Sequence, residues 1–164
     1  MTSTTIRRAA AVLAGLTLIA AVGCVRVELP EGEYESASEA IESGDATELA
    51  VSIDMAAGKL VVTGGAEGAL DAGFDFSRSS WRPVVDYDVT DGTGRLSVRT
   101  PQVPNFTMQG GLRYDWDVAL PSDLPLELAV NMGAGEADLD LRGTQLRDIR
   151  VNLGAGDSTI DLSG

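Results

Sequence analysis

Chemistry has few places to start in this chain. Its 164 residues include no histidine and one cysteine, Cys24, which removes Ser-His-Asp and Cys-His catalysis, imidazole metal ligands and a neutral-pH imidazole switch. One cysteine also leaves no internal disulfide, no Cys-based zinc site and no iron–sulfur cluster. Lys59 is the only lysine; it sits beside a glycine turn with no motif around it, a bare candidate for a Ser-Lys dyad. Carboxylates are abundant, with 25 Asp and Glu against 12 Lys and Arg and a formal charge of −13. Paired carboxylates can serve a glycosidase, but so acidic a chain offers many accidental pairs. The same charge argues against nucleic acid as a partner, because phosphate neutralisation needs a basic surface. No cofactor is implied.

The cysteine has a telling address. Residues 1–8 are polar and carry Arg7 and Arg8, and Ala9 to Val22 form an almost wholly apolar run of about 14 residues. That is shorter than the roughly 20 a membrane-spanning helix needs and suits the core of a secretory signal. Ala21-Val22-Gly23-Cys24 closes it and resembles a bacterial lipobox, with Ala21 where that pattern usually has Leu. The resemblance implies a signal peptide over 1–23 and a lipidated Cys24 as the mature N-terminus. Two or more acyl chains, at ~0.8 kcal/mol per buried CH₂, would anchor the protein stably to the extracytoplasmic face of the cell membrane. Losing Arg7 and Arg8 and no acid takes the formal charge from −13 to −15.

Residues 24–48 then read as an acidic tether. Glu28, Glu31, Glu33, Glu35, Glu39, Glu42, Asp45 and Glu48 leave little that could build a core, and their mutual repulsion favours a solvated segment. From Leu49 to Gly164 the pattern turns to period two, with glycine-rich turns. Val51, Ile53 and Met55 alternate with Ser52 and Asp54; Val85, Tyr87 and Val89 alternate with Asp86 and Asp88, turn through Asp91-Gly92, and resume at Leu96 and Val98. Tyr114, Trp116, Val118 and Leu120 share one face. No helical period follows the signal segment, so the domain is all-β.

An internal repeat organises the last forty or so residues. Residues 128–143 match 149–164 at a spacing of 21, pairing Leu128 with Ile149, Val130 with Val151, Met132 with Leu153, Leu139 with Ile160 and Leu141 with Leu162. A looser copy begins at Ile53 and runs through Gly58 to Leu60. The unit is strand, Gly-Ala-Gly corner, strand. Gly58, Gly133, Gly135, Gly154 and Gly156 are the structural turn glycines, able to take positive φ and to let backbones approach closely. Such units cannot stand alone and must stack to bury a shared core. The last copy ends at Gly164 with no cap, so either another element covers that edge or the sequence is part of a longer one.

Several blocks in order carry a family resemblance. They are Ser43-Gly44-Asp45 with Leu49 to Gly65, Phe74-Asp75-Phe76 to Trp81-Arg82-Pro83-Val84-Val85-Asp86-Tyr87, Trp116-Asp117-Val118-Ala119-Leu120-Pro121, and the Gly-Ala-Gly repeats. Over residues 39–164 this resembles the toastrack family, β-rich domains of bacterial envelope proteins. The resemblance implies a repetitive, single-handed, β-solenoid-like stack of strands and a role in protein interaction connected with cell-envelope stress. It brings no catalytic residues.

If the repeats stack in register, Glu136 lies beside Asp157 and Asp140 beside Asp161, all outward while Leu139, Leu141, Ile160 and Leu162 point in. Like charges opposed on neighbouring strands are unfavourable, so this ladder is a weak candidate for cations or a basic partner. A specific calcium site is not expected: a β-roll nonapeptide needs Asp where this sequence has Ala137 and Ser158, and its period is shorter. Phe74, Phe76, Trp81, Tyr87, Tyr114 and Trp116 suit a core better than a sugar groove, since they alternate with polar residues. Two classes follow. One is a non-enzymatic, lipid-anchored module that binds another envelope protein or itself; the alternative is a carbohydrate-binding protein or a carboxylate-dependent envelope enzyme.

Overall fold

The computed structural model describes residues 34–103 and 111–163; Cys24, the signal segment and the start of the expected tether lie outside them. Eight strands follow in chain order: β1 (Glu35–Ile41), β2 (Glu48–Ala66), β3 (Leu70–Phe76), β4 (Val84–Thr90), β5 (Thr93–Arg99), β6 (Tyr114–Pro121), β7 (Pro125–Asp140) and β8 (Gln145–Asp161). A single turn of 3₁₀ helix at Ser79–Trp81 is the one helical element among the described residues.

Three strands are far longer than the rest, and they are the three copies of the repeat. β2, β7 and β8 run parallel, in register, through their glycine corners without interruption. Leu128 pairs with Ile149, Val130 with Val151 and Leu139 with Ile160, so the sequence period of 21 is the register of the stack. The looser copy stacks as read, with Ile53 beside Val130, Met55 beside Met132 and Gly58 beside Gly135.

On its other side β2 divides. Its first half pairs with β5 and its second half with β6; β4 then joins β5, and β3 and β1 extend from β6, all antiparallel. Asp91 and Gly92, both at positive φ, make the two-residue turn of the β4–β5 hairpin, where left-handed residues match the twist of the strands. The two half-sheets enclose one core. Alternate residues of every rung enter it: Val51, Ile53 and Leu60 from β2, Leu128, Val130 and Leu139 from β7. The aromatics pack there edge to face, Phe74 on Trp116 at 5.7 Å, Tyr114 on Trp116 at 5.4 Å and Trp81 on Tyr114 at 5.8 Å between ring centres, a geometry the ring quadrupole favours.

The domain starts earlier than the sequence suggested. Residues 35–41, expected within the tether, form β1 and pair with β3 from Glu35–Phe76 to Ile41–Leu70. An edge strand needs few apolar residues, and Ala37 and Ile41 are the ones that pack on the core. Glu39, read as a repelling charge, accepts a 2.8 Å hydrogen bond from Arg82.

Candidate interaction edge

The glycine corners are shaped by the rung beneath them. Gly135 has φ of 127° and Gly156 of 138°, a region that L side chains rarely adopt. Space is equally limiting: a Cβ at Gly135 would lie 1.9 Å from the Gly58 carbonyl oxygen, and one at Gly156 would lie 1.8 Å from that of Gly135. Gly133 and Gly154 differ from the expectation. They do not take positive φ; they are needed because a Cβ would meet the Ala56 oxygen at 2.4 Å and the Gly133 oxygen at 2.0 Å. In the first copy Ala56 stands at this place, and there the Thr100 hydroxyl, not another rung, lies alongside and accepts its N–H at 2.9 Å. That explains why the β2 copy reads as looser.

A side-chain ladder crosses the rungs just before the corner. Asn152 donates through Nδ2 to Asn131 Oδ1 at 2.9 Å, and Asn131 donates to Asp54 Oδ1 at 2.8 Å. The ladder is directional, each amide giving to the rung before it. These residues border an open depression of about 740 Å³ with Thr100, Gly133 and Gly154. The sequence carried this signal, since Asn precedes the corner in both copies and Asp54 holds the same place in the third.

The acidic ladder is placed as expected, Glu136 beside Asp157 and Asp140 beside Asp161, but the chain supplies cations to it. Lys59 reaches Glu136 at 3.4 Å, and Arg142 bonds Asp140 through Nε at 2.7 Å while lying 3.5 Å from Asp161. The Arg142 hydrogen bond holds the Asp140 carboxyl below its ordinary range. Asp161 is lowered mainly by hydrogen bonds from Ser163, with Arg142 adding to them. Arg142, in the turn between rungs, was not singled out by the sequence reading.

These acids belong to a wider face. Across the second half-sheet one row runs Asp157, Glu136, Lys59, Asp115, Asp75, Ser36. Arg113 lies 3.4 Å from Asp75 and 3.3 Å from Asp115, and burial raises the Asp115 carboxyl against the pull of Arg113. Among the described residues no three acidic side chains converge as a metal site would require. Phe74, Phe76, Trp81, Tyr114 and Trp116 are buried in the core, on the opposite side of the sheet from these acids.

What stands open is β8. It pairs with β7 alone among the described residues, leaving one edge of backbone donors and acceptors without a neighbouring strand. Its inward row is partly open, with Leu146, Ile149, Val151 and Leu153 half-buried against the core. Leu139 and Leu141 of β7 are 0% and 3% exposed, whereas their counterparts Ile160 and Leu162 are 43% and 49% exposed. Ile160 pairs with the buried Leu139, and among the described residues no further rung lies over it.

This geometry defines an all-β protein built on stacked, glycine-cornered rungs. The chain belongs to the toast-rack family: the profile for the N-terminal domain of toast_rack, DUF2154, matches residues 11–164. No curated protein matches the sequence. Among solved structures, a candidate cell-adhesion protein from Clostridium sporogenes is 25% identical with a TM-score of 0.71, covering 76% of this chain and 59% of that one. This chain thus spans less than two thirds of that protein's length. A candidate adhesin from Parabacteroides merdae is 11% identical with a TM-score of 0.35, over 76% of this chain and 53% of its own. No helix among the described residues is long and apolar enough to cross a membrane.

Proposed function

We propose that this protein is a lipid-anchored, extracytoplasmic, non-enzymatic module that binds another protein of the cell envelope, in the setting of envelope stress. The observation that carries the reading is the in-register stack of β2, β7 and β8 in a chain of the toast-rack family. Family membership and the similarity to a candidate cell-adhesion protein support the same reading, and the lipobox-like end of the leader supports anchoring at Cys24.

Two measurements test it. Mass spectrometry of the N-terminus extracted from membranes is expected to find diacylglyceryl and acyl groups on Cys24, and an unmodified cysteine there refutes the anchor. Affinity capture from envelope extracts compares the native chain with the same chain denatured before immobilisation. A specific partner retained by the first and lost by the second is expected; equal recovery by both, or no partner at all, refutes a folded binding module.

A further inference from the structure

We infer that β5 and β6 are together a fourth rung, parted at its corner, and that Thr100 straps the parted corner shut and closes the stack on the β2 side. The register is that of a rung. β5 runs parallel to the first half of β2 from Glu48–Thr93 to Asp54–Arg99, and β6 runs parallel to the second half from Lys59–Asp115 onward. The inward rows agree as well: Leu96 and Val98 lie beside Val51 and Ile53, and Trp116 and Val118 beside Leu60 and Val62. Only the corner differs. Four residues separate Asp54 from Lys59, and four separate their partners Asn131 and Glu136, whereas fifteen separate Arg99 from Asp115.

The glycine series points the same way. A Cβ at Gly156 would strike the Gly135 carbonyl and one at Gly135 the Gly58 carbonyl, and one at Gly58 would lie 2.0 Å from the Tyr114 carbonyl oxygen. The close approach that demands glycine thus continues one step past β2, with the Tyr114 backbone in the place a corner glycine holds elsewhere. There the series ends. Tyr114 is its first member that is not glycine, and its ring is buried in the core against Trp81 and Trp116.

Thr100 spans the gap that the parted corner leaves. Its N–H donates to the Asp54 carbonyl at 2.9 Å, which carries the β5 ladder one residue further. Its Oγ1 accepts the Ala56 N–H at 2.9 Å, and toward β6 the same side chain meets the Tyr114 hydroxyl, which Trp116 also reaches. Burial outweighs both of those hydrogen bonds and pushes the Tyr114 phenol up to about 12, so it stays protonated at neutral pH. One hydroxyl therefore ties β5, β2 and β6 together where the backbone does not. A stack of rungs needs an atypical end to seal its core. Among the described residues, what lies beyond this rung is antiparallel: β4 on β5, and β3 with β1 on β6. The closure holds whether or not another rung covers β8.

Variants of the full chain test the rung and the strap separately. Gly58→Ala is expected to lower the urea midpoint at least as much as Gly135→Ala, down to outright loss of folding, because a rung lies on each side of both; a shift less than about half as large would overturn the fourth rung. Thr100→Val keeps the shape and removes the hydroxyl. Exchange of the Ala56 amide should become at least about tenfold faster, with Val51 and Ile53 unchanged, and Thr100→Ser should restore its protection. Unchanged Ala56 exchange in Thr100→Val, or equal acceleration in Thr100→Ser, would overturn the strap. Combining Thr100→Val with Tyr114→Phe should shift the midpoint by less than the two single changes together, since both remove one hydrogen bond; strict additivity would overturn the arm that reaches β6.

Discussion

β7 and β8 are nearly the same sequence in two situations. Both read strand, Gly-Ala-Gly, strand, and they pair in one register from Leu128–Ile149 to Asp140–Asp161. Among the described residues, β7 has a rung on each side and its inward row is sealed, while β8 has one neighbour and its row is partly open. The difference lies in what is stacked on them, since local pattern sets which residues point inward and only neighbours decide whether they are dry. Identical residues should therefore cost different amounts when altered in the two rungs.

The largest contrast is expected at the corners. Gly135→Ala forces a side chain into positive φ and against the Gly58 carbonyl with strands on both sides, and should cost about 3–5 kcal/mol in urea unfolding. Gly156→Ala has the same local conflict, but among the described residues β8 is held by β7 alone. We expect a global cost of about 1 kcal/mol or less, with fast amide exchange confined to β8. Equal global losses would mean that β8 is locked as firmly as β7 and would break the comparison.

Next come the apolar pairs. Leu139→Ala leaves a cavity in the sealed core and should cost about 2–4 kcal/mol. Ile160→Ala, at a place already 43% exposed, should cost under about 1 kcal/mol by the area it can still remove from water.

Much of this arrangement was legible in advance, and the reason is geometric. In parallel stacked rungs a pairing register is a constant sequence offset, so the spacing of 21 could be read directly as Leu128 beside Ile149. The Asp91-Gly92 turn and the inward face of Tyr114 and Trp116 were legible for similar local reasons. β1 was not, because an edge strand that buries only Ala37 and Ile41 among glutamates carries almost the same composition as a solvated tether. The two kinds of corner glycine were also indistinguishable in sequence. Gly133 and Gly135 differ in φ, and the need for the first comes from a carbonyl on another strand. The placement of the acidic ladder was foreseen but its cations were not, since Lys59 is 77 residues from Glu136 in sequence.

A smaller effect sharpens the comparison within the amide ladder. Asn131→Ala removes both the donor to Asp54 and the acceptor for Asn152, and is expected to cost about 1–2 kcal/mol. Asn152→Ala removes only the outermost member and should cost about 0.5 kcal/mol. Similar values for the two would show that the ladder is not acting as a directional series, and a double-mutant cycle would measure their coupling.

The smallest effect is electrostatic and is read best through pH. Arg142 joins the rungs by meeting Asp140 of β7 and Asp161 of β8, in an exposed setting where salt and solvent weaken the pair. Both carboxyls are held below their ordinary range, Asp140 chiefly by the Arg142 hydrogen bond and Asp161 chiefly by Ser163. A carboxyl depressed in the folded state contributes stability above its unfolded pKa, and that contribution fades as pH falls through the folded value. Arg142→Ala should therefore lower the melting temperature modestly near neutral pH and have progressively less effect in acid below the usual carboxylate range. In carboxyl NMR titrations Asp140 should move up toward its ordinary value more than Asp161, because Ser163 still holds the latter. Equal movement of the two would place Arg142 on both rungs alike, and no movement would remove it as the link between the covered rung and the open one.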